Sequence, residues 1–314
     1  MKPRFKSVLG RYLGKYVRLR RALGYKLESQ TRVLLSFDRY LHGKRHRGLL
    51  TQQLAVAFAT KNTKVSKAEC WRRYLFVRQF AEYLAAFDPR TPRFDPKALE
   101  RSNVRPIIHV YTDRELALLL KETNHISGYT PLRGIALRAM IGLAASTGLR
   151  VSELSRLDQS DVDLKAGVLT IRQTKFKKDR LVPMHATTSA VLRNYAAARD
   201  QRAPGRDPSA FFVNPQGRRF SRASIEYAMR ILTRRIGLRG AKGRGPSFHD
   251  LRHRFVVQRI VEWYREGVDV QARLPALATY VGHASYASTA YYITATAELM
   301  AIAARRYHGI RARK

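Results

Sequence analysis

Four of the chain's 12 prolines fall between positions 89 and 106. A proline ring fixes φ, removes a backbone donor and disfavours helix in the residue before it, so no helix runs through such a stretch. The segment Asp88-Pro89-Arg90-Thr91-Pro92 stops whatever helix precedes it, and Pro96 and Pro106 follow. The stretch reads as a linker, with a domain boundary near residue 108. At 314 residues the chain can build a core on each side of that boundary.

Apolar spacing sets the fold class. Before the boundary, Leu9, Leu13 and Tyr16 share a helical face, as do Leu34, Phe37 and Leu41, and then Tyr74, Val77, Ala81 and Leu84. Residues 1–107 therefore read as a helical domain. After the boundary, Thr112-Asp113-Arg114-Glu115 has the form of a capping box ahead of the apolar run Leu116 to Leu120. Leu132 to Leu143 has the composition of a buried helix, and Val151 to Leu157 of a short one after a turn at Gly148. Val168–Ile171 and Arg180–Pro183 read as strands around a loop at 174–179. Further helices are expected at about 186–200, 221–236, 249–265 and 272–281. Residues 108–314 are thus mainly α with a small antiparallel β-sheet.

Charge narrows the partner. Against 23 Asp+Glu stand 60 Lys+Arg, a formal net charge of +37. Residues 1–100 carry +16 and residues 101–314 carry +21, which excludes a basic tail on a neutral body. Self-repulsion on that scale is usually relieved by a polyanion, and nucleic acid is the first expectation. The single cysteine, Cys70, excludes internal disulfides and a cysteine-based zinc site. The start, Met1-Lys2-Pro3-Arg4-Phe5-Lys6, leads into no apolar stretch, and the most apolar segment, Gly134 to Leu149, is interrupted by Arg138. A soluble, reduced, cytoplasmic protein without a membrane partner is expected.

The sequence holds no Walker-type glycine loop, no His-Glu-x-x-His, and no carboxylate cluster suited to a pair of metal ions. Chemistry on phosphate would then fall to side chains. Arginine grips two phosphate oxygens at once, while His and Lys move protons. Three segments have that content. Ser146-Thr147-Gly148-Leu149-Arg150-Val151-Ser152-Glu153-Leu154 puts Arg150 on a glycine turn with Glu153 one turn later. His249-Asp250-Leu251-Arg252-His253 spaces His249 and Arg252 three apart on a helix. Gly282-His283-Ala284-Ser285 sets His283 nine residues ahead of Tyr292.

Taken in order, these segments resemble the tyrosine recombinases of the phage integrase family. That family's pattern is Thr-Gly-Leu-Arg-x-x-Glu, a lysine on a β-hairpin, His-x-Leu-Arg-His, Leu-Gly-His and a tyrosine; the series occurs in that order across residues 146–292, with Val281 in the place of the leucine. The resemblance implies that Arg150 and Arg252 clamp the scissile phosphate, with Glu153 holding Arg150 or a nearby basic group in place. It implies that Lys175 protonates the 5′-oxygen leaving group, with Lys177 and Lys178 as backbone contacts. His249 would hydrogen-bond the phosphate and accept the tyrosine proton, His253 would be structural, and His283 would be a second donor. Tyr292 would be the nucleophile, with its neighbour Tyr291 the competitor.

The family's architecture is also implied: a helical core-binding domain, 1–107, beside a catalytic domain, 108–314, closing around duplex DNA. Tyr292 would form a 3′-phosphotyrosyl link, needing neither metal nor ATP nor another cofactor. Double-stranded DNA would be the partner and a homotetramer the synaptic state, with a monomer or weak dimer when free and DNA-bending or partner recombinase proteins as accessories. Glu298 to Ala303 matches the terminal helix that members exchange between neighbours. The spacer Trp263 to Pro275 is longer than in chromosome-resolving members and resembles recombinases of transposon-like elements. A type IB topoisomerase shares the nucleophile and most of the charged set. A non-catalytic DNA-binding protein of this fold would have lost part of it, and an RNA-binding protein explains only the charge.

Overall fold

The computed structural model describes residues 4–25, 27–100, 108–126, 131–172, 179–202, 207–240 and 245–282. The chain divides into two compact units, Met1–Pro106 and Ile107–Lys314. In the first, α1 (Gly10–Ala22), α2 (Glu28–Gly43) and α4 (Lys67–Leu84) bury the faces that apolar spacing marks, and α3 (Gln52–Thr60) lies between α2 and α4 in the chain. Helix α3 adds Ala55, Phe58 and Ala59 to the core, and its start is set by the Thr51 hydroxyl, which accepts the Leu54 N–H at 3.3 Å. Buried Asp38 accepts the N–H groups of Lys6 and Ser7 at 2.7 and 3.0 Å, which ties the segment before α1 onto α2.

The proline stretch is not a free linker as far as Leu99. Phe94 is buried against Tyr74, with ring centroids 6.4 Å apart and planes at 17°. The Tyr74 hydroxyl donates to the Asp95 carbonyl at 2.6 Å, and the Asp95 N–H donates to Gln52 Oε1 at 2.6 Å. Proline forbids a helix here but allows an extended chain, and that chain finds partners on α3 and α4.

The second unit begins with α5 (Asp113–Glu122), whose Thr112/Glu115 capping box is formed in both directions. Helix α6 (Leu132–Thr147) runs through the core, packed by α8 (Ala186–Arg202) and α10 (His249–Arg265). Between them lie the short α7 (Val151–Leu154) and a three-stranded antiparallel sheet of β1 (Val162–Asp163), β2 (Val168–Ile171) and β3 (Arg180–Pro183). Its register pairs Leu169 with Val182 and Ile171 with Arg180, so Arg180 stands at the loop end of the hairpin. Helices α9 (Arg222–Arg235) and α11 (Val270–Val281) complete the unit.

Both expected strands and the α10 bounds agree with the sequence pattern. Helix α7 stops three residues early, where the Leu157 carbonyl accepts the Phe211 N–H at 2.9 Å instead of continuing the helix. Helix α11 begins two residues early because Asp269 caps it, accepting from the N–H groups of Gln271 and Ala272. The two-residue β1 is too short to show a period. Among the described residues, no helix is long and apolar enough to cross a membrane.

Candidate active site

The site is built around the end of α6. Gly148 caps that helix with φ +66°, a left-handed backbone that L side chains seldom adopt. A Cβ there would stand 2.7 Å from the Phe255 ring, so glycine is needed for space as well as for conformation. The turn thus packs onto α10. Its Gly148 carbonyl accepts from Arg252 Nη1 at 2.8 Å, which links the two arginine-bearing segments. Arg252 itself is 1% exposed, an unusual state for a cation outside a built site.

Arg150 follows two residues later. Its N–H donates to Glu153 Oε2 at 2.9 Å, its Nη1 to Glu153 Oε1 at 2.9 Å, and its Nη2 to the Gly282 carbonyl at 2.6 Å. Arg180, from β3, takes the same carboxylate from the other side at 3.1 and 3.0 Å. Burial by itself would raise the Glu153 pKa. The hydrogen bonds and charge of Arg180, then those of Arg150, outweigh burial and hold it below the ordinary carboxylate range. Glu153 therefore stands as a charged carboxylate with both oxygens partnered.

His249 and Arg252 lie in the first turns of α10. That start is held by Asp250, which accepts from the Ser247 N–H and hydroxyl at 2.7 and 2.6 Å and from the His109 N–H at 3.3 Å. The His249 ring meets His253 edge to face, with centroids 4.6 Å apart. His249 keeps an exposed side, yet the protein packed around it, then His253, Arg252 and Arg150, push its pKa down to about 4 against the opposing charge of Asp250. Solvent on the open side offsets part of that push. At neutral pH the ring is uncharged and able to accept a proton. His253 is half-buried, and its pKa is lowered by burial as well.

Arg150 and His249 open onto one cleft of about 620 Å³, also lined by Arg222, Arg230 and Arg239. Among the described residues its one lining carboxylate is Glu226, ion-paired to Arg222 at 2.8 Å. With that carboxylate paired, the wall is net positive and attracts an anionic chain. Among the described residues, no group of three or more His, Cys, Asp or Glu side chains is arranged to hold a metal ion.

Four of the expected site residues, Arg150, Glu153, His249 and Arg252, are thus brought to one end of the unit. Lys175, His283 and Tyr292 lie outside the described residues. Arg180 was not singled out by sequence, although it ends the Lys-Phe-Lys-Lys-Asp-Arg run of the hairpin and begins β3.

Residues 110–298 match the Phage integrase family. The chain is 41% identical over 302 residues to a Sinorhizobium fredii protein assigned as integrase/recombinase y4rE, covering 96% of each. Its fold is similar to that of the XerH site-specific recombinase, solved bound to a palindromic difH substrate after cleavage, with a TM-score of 0.65, 20% identity and coverage of 90% of this chain and 80% of that one. It is similar also to the Tn1549 transposon integrase, solved with transposon right end DNA, with a TM-score of 0.65, 16% identity and coverage of 90% and 93%. With the motif series in order and its first arginine, glutamate, histidine and second arginine brought to one end of the second unit, the chain belongs to the phage integrase family and is a tyrosine-type site-specific recombinase.

Proposed function

We propose that this chain cuts and rejoins duplex DNA through a 3′-phosphotyrosyl intermediate on Tyr292. The observation that carries the reading is the placing of Arg150 and His249 on one arginine-lined cleft, with Arg252 bonded to the turn that carries Arg150. The Tyr292 oxygen attacks the scissile phosphorus, its proton passes to His249, and the bond to the 5′-oxygen breaks as Lys175 protonates it. A phenol is a weak nucleophile at its ordinary pKa near 10, so the proton acceptor and the cations matter. Arg150, Arg252 and His283 stabilise the charge that builds on the non-bridging oxygens.

A 5′-hydroxyl from a second duplex then attacks the phosphotyrosine and restores the phosphodiester. The bond energy is kept in the protein–DNA link, so neither metal nor ATP is consumed. Exchange of both strands between two duplexes needs four nucleophiles, hence four protomers. Residues 1–107 would supply further DNA contacts beside the catalytic domain 108–314, and the transposon-like spacer supports a mobile-element role.

A duplex selected by this protein from a random pool, nicked beside each phosphate in turn, tests the reading. One such substrate is expected to trap a covalent adduct with a free 5′-hydroxyl, in excess EDTA. Tyr292→Phe should abolish the adduct and Tyr291→Phe should retain it. An adduct mapped to Tyr291, or one that forms only with magnesium, refutes the scheme.

A further inference from the structure

Two guanidinium groups share one buried carboxylate behind the cleft. The side chains of Glu153, Arg180 and Arg150 are 2%, 9% and 25% exposed, so Arg180 is the interior partner and Arg150 the one facing the cleft. Both also reach the end of α11. Arg180 Nε donates to the Tyr280 carbonyl at 2.8 Å, and Arg150 Nη2 to the Gly282 carbonyl at 2.6 Å. Gly282 seals the arrangement, because a Cβ there would stand 2.8 Å from Arg180 Nη1 and 3.0 Å from its Cζ. Its φ of +68° calls for glycine independently.

Charge accounting gives this packing a purpose. A buried carboxylate must be neutralised, and with Arg150 alone it would cancel the very charge that a phosphate needs. With Arg180 present, one cation satisfies Glu153 and the other remains uncompensated at the cleft. Glu153 can then aim Arg150 by hydrogen bonds without consuming its charge.

We infer that Arg180 is a positioning residue for the cleavage step: it neutralises Glu153 and pins it to the end of α11, leaving Arg150 oriented and its charge available to the scissile phosphate. This rests on the function proposed above. Removing Arg180 alone should leave Arg150 the sole cation on Glu153, so that the carboxylate cancels its charge. Removing the Glu153 charge as well should release it again.

The test is single-turnover cleavage at saturating DNA in the full chain. Arg180→Met should lower the rate about 10²-fold, the scale of a misplaced reacting group. Adding Glu153→Gln should recover most of that loss, which a merely structural role would not allow. In an Arg150→Ala background Arg180→Met should cost nothing further, since both changes remove one function. A wild-type rate for Arg180→Met, no recovery with Glu153→Gln, or a loss that multiplies with Arg150→Ala overturns the inference. Should Arg180→Met fail to fold, the double variant buries no unpaired charge and decides alone: a rate within tenfold of wild type supports the inference, a hundredfold loss ends it. A wild-type chain that forms no adduct refutes the cleavage reading itself. The coupling between positions 180 and 150 is then read from duplex affinity, where its presence keeps the inference and its absence ends it.

Discussion

Gly148→Ala probes the turn from which the site is built. The added methyl group meets two separate penalties. At φ +66° an L residue costs about 1–2 kcal/mol relative to glycine. The new Cβ would also lie 2.7 Å from Phe255 Cδ1 and 3.3 Å from its Cγ, inside van der Waals contact. The Phe255 ring is 8% exposed and stacked on Tyr280 with centroids 5.6 Å apart, so it cannot swing away freely. Overpacking of this kind costs about 1–3 kcal/mol. Together the two give a loss of about 2–5 kcal/mol in the second unit.

The chain offers a clean reporter for that loss. It has two tryptophans, Trp71 in α4 of the first unit and Trp263 in α10 of the second. In a Trp71→Phe background, fluorescence during guanidinium unfolding follows the second unit alone, which matters because two units need not unfold together. Gly142→Ala, six positions earlier, is the control. Gly142 lies inside α6 with nothing within 4 Å of its added Cβ, so the same change should stabilise by about 0.5–1 kcal/mol. Opposite signs are expected from one chemical substitution. Gly148→Ala should also slow single-turnover cleavage about 10²-fold, because the displaced turn carries Arg150 and the carbonyl held by Arg252. If the two alanine variants unfold alike, or Gly148→Ala cleaves normally, the turn does not organise the site.

Two further outcomes are expected. Arg150→Ala and Arg252→Ala should each lower cleavage at saturating DNA by about 10²–10³-fold with a much smaller effect on affinity, and a neutral methylphosphonate at the scissile position should partly rescue them; normal cleavage once DNA is saturating would make them mere docking contacts. His249, identified by its loss in His249→Asn, should titrate clearly below 6.5 in an NMR titration of the free protein. The unfolded ring takes its proton at the higher pH, so this group lowers stability as pH falls from 6.5 toward 4 and has no effect above that window. An ordinary titration near 6.5 would refute the burial-and-cation account.

The sequence alone determined the local elements and the residue types of the site. A helix or strand announces itself through spacing within a few residues, which is why the faces of α1, α2 and α4, the Thr112/Glu115 box, the α10 bounds and both hairpin strands were legible. The order of the motifs was legible too, because order along a chain is a sequence property. Only the tertiary structure decided what each element meets. Phe94 and Asp95 of the proline stretch find Tyr74 and Gln52, partners about twenty and forty positions away that no periodicity reveals. The supports of the site span longer separations still: Arg252 to Gly148 across 104 residues, Arg150 to Gly282 across 132, Arg180 to Tyr280 across 100. The low pKa of His249 and the partnership of Arg180 with Glu153 arise from burial and from charges brought close by folding. Spacing shows which face is apolar and which residue carries charge; distance in space, and with it Coulomb energy and desolvation, exists only once the chain has packed.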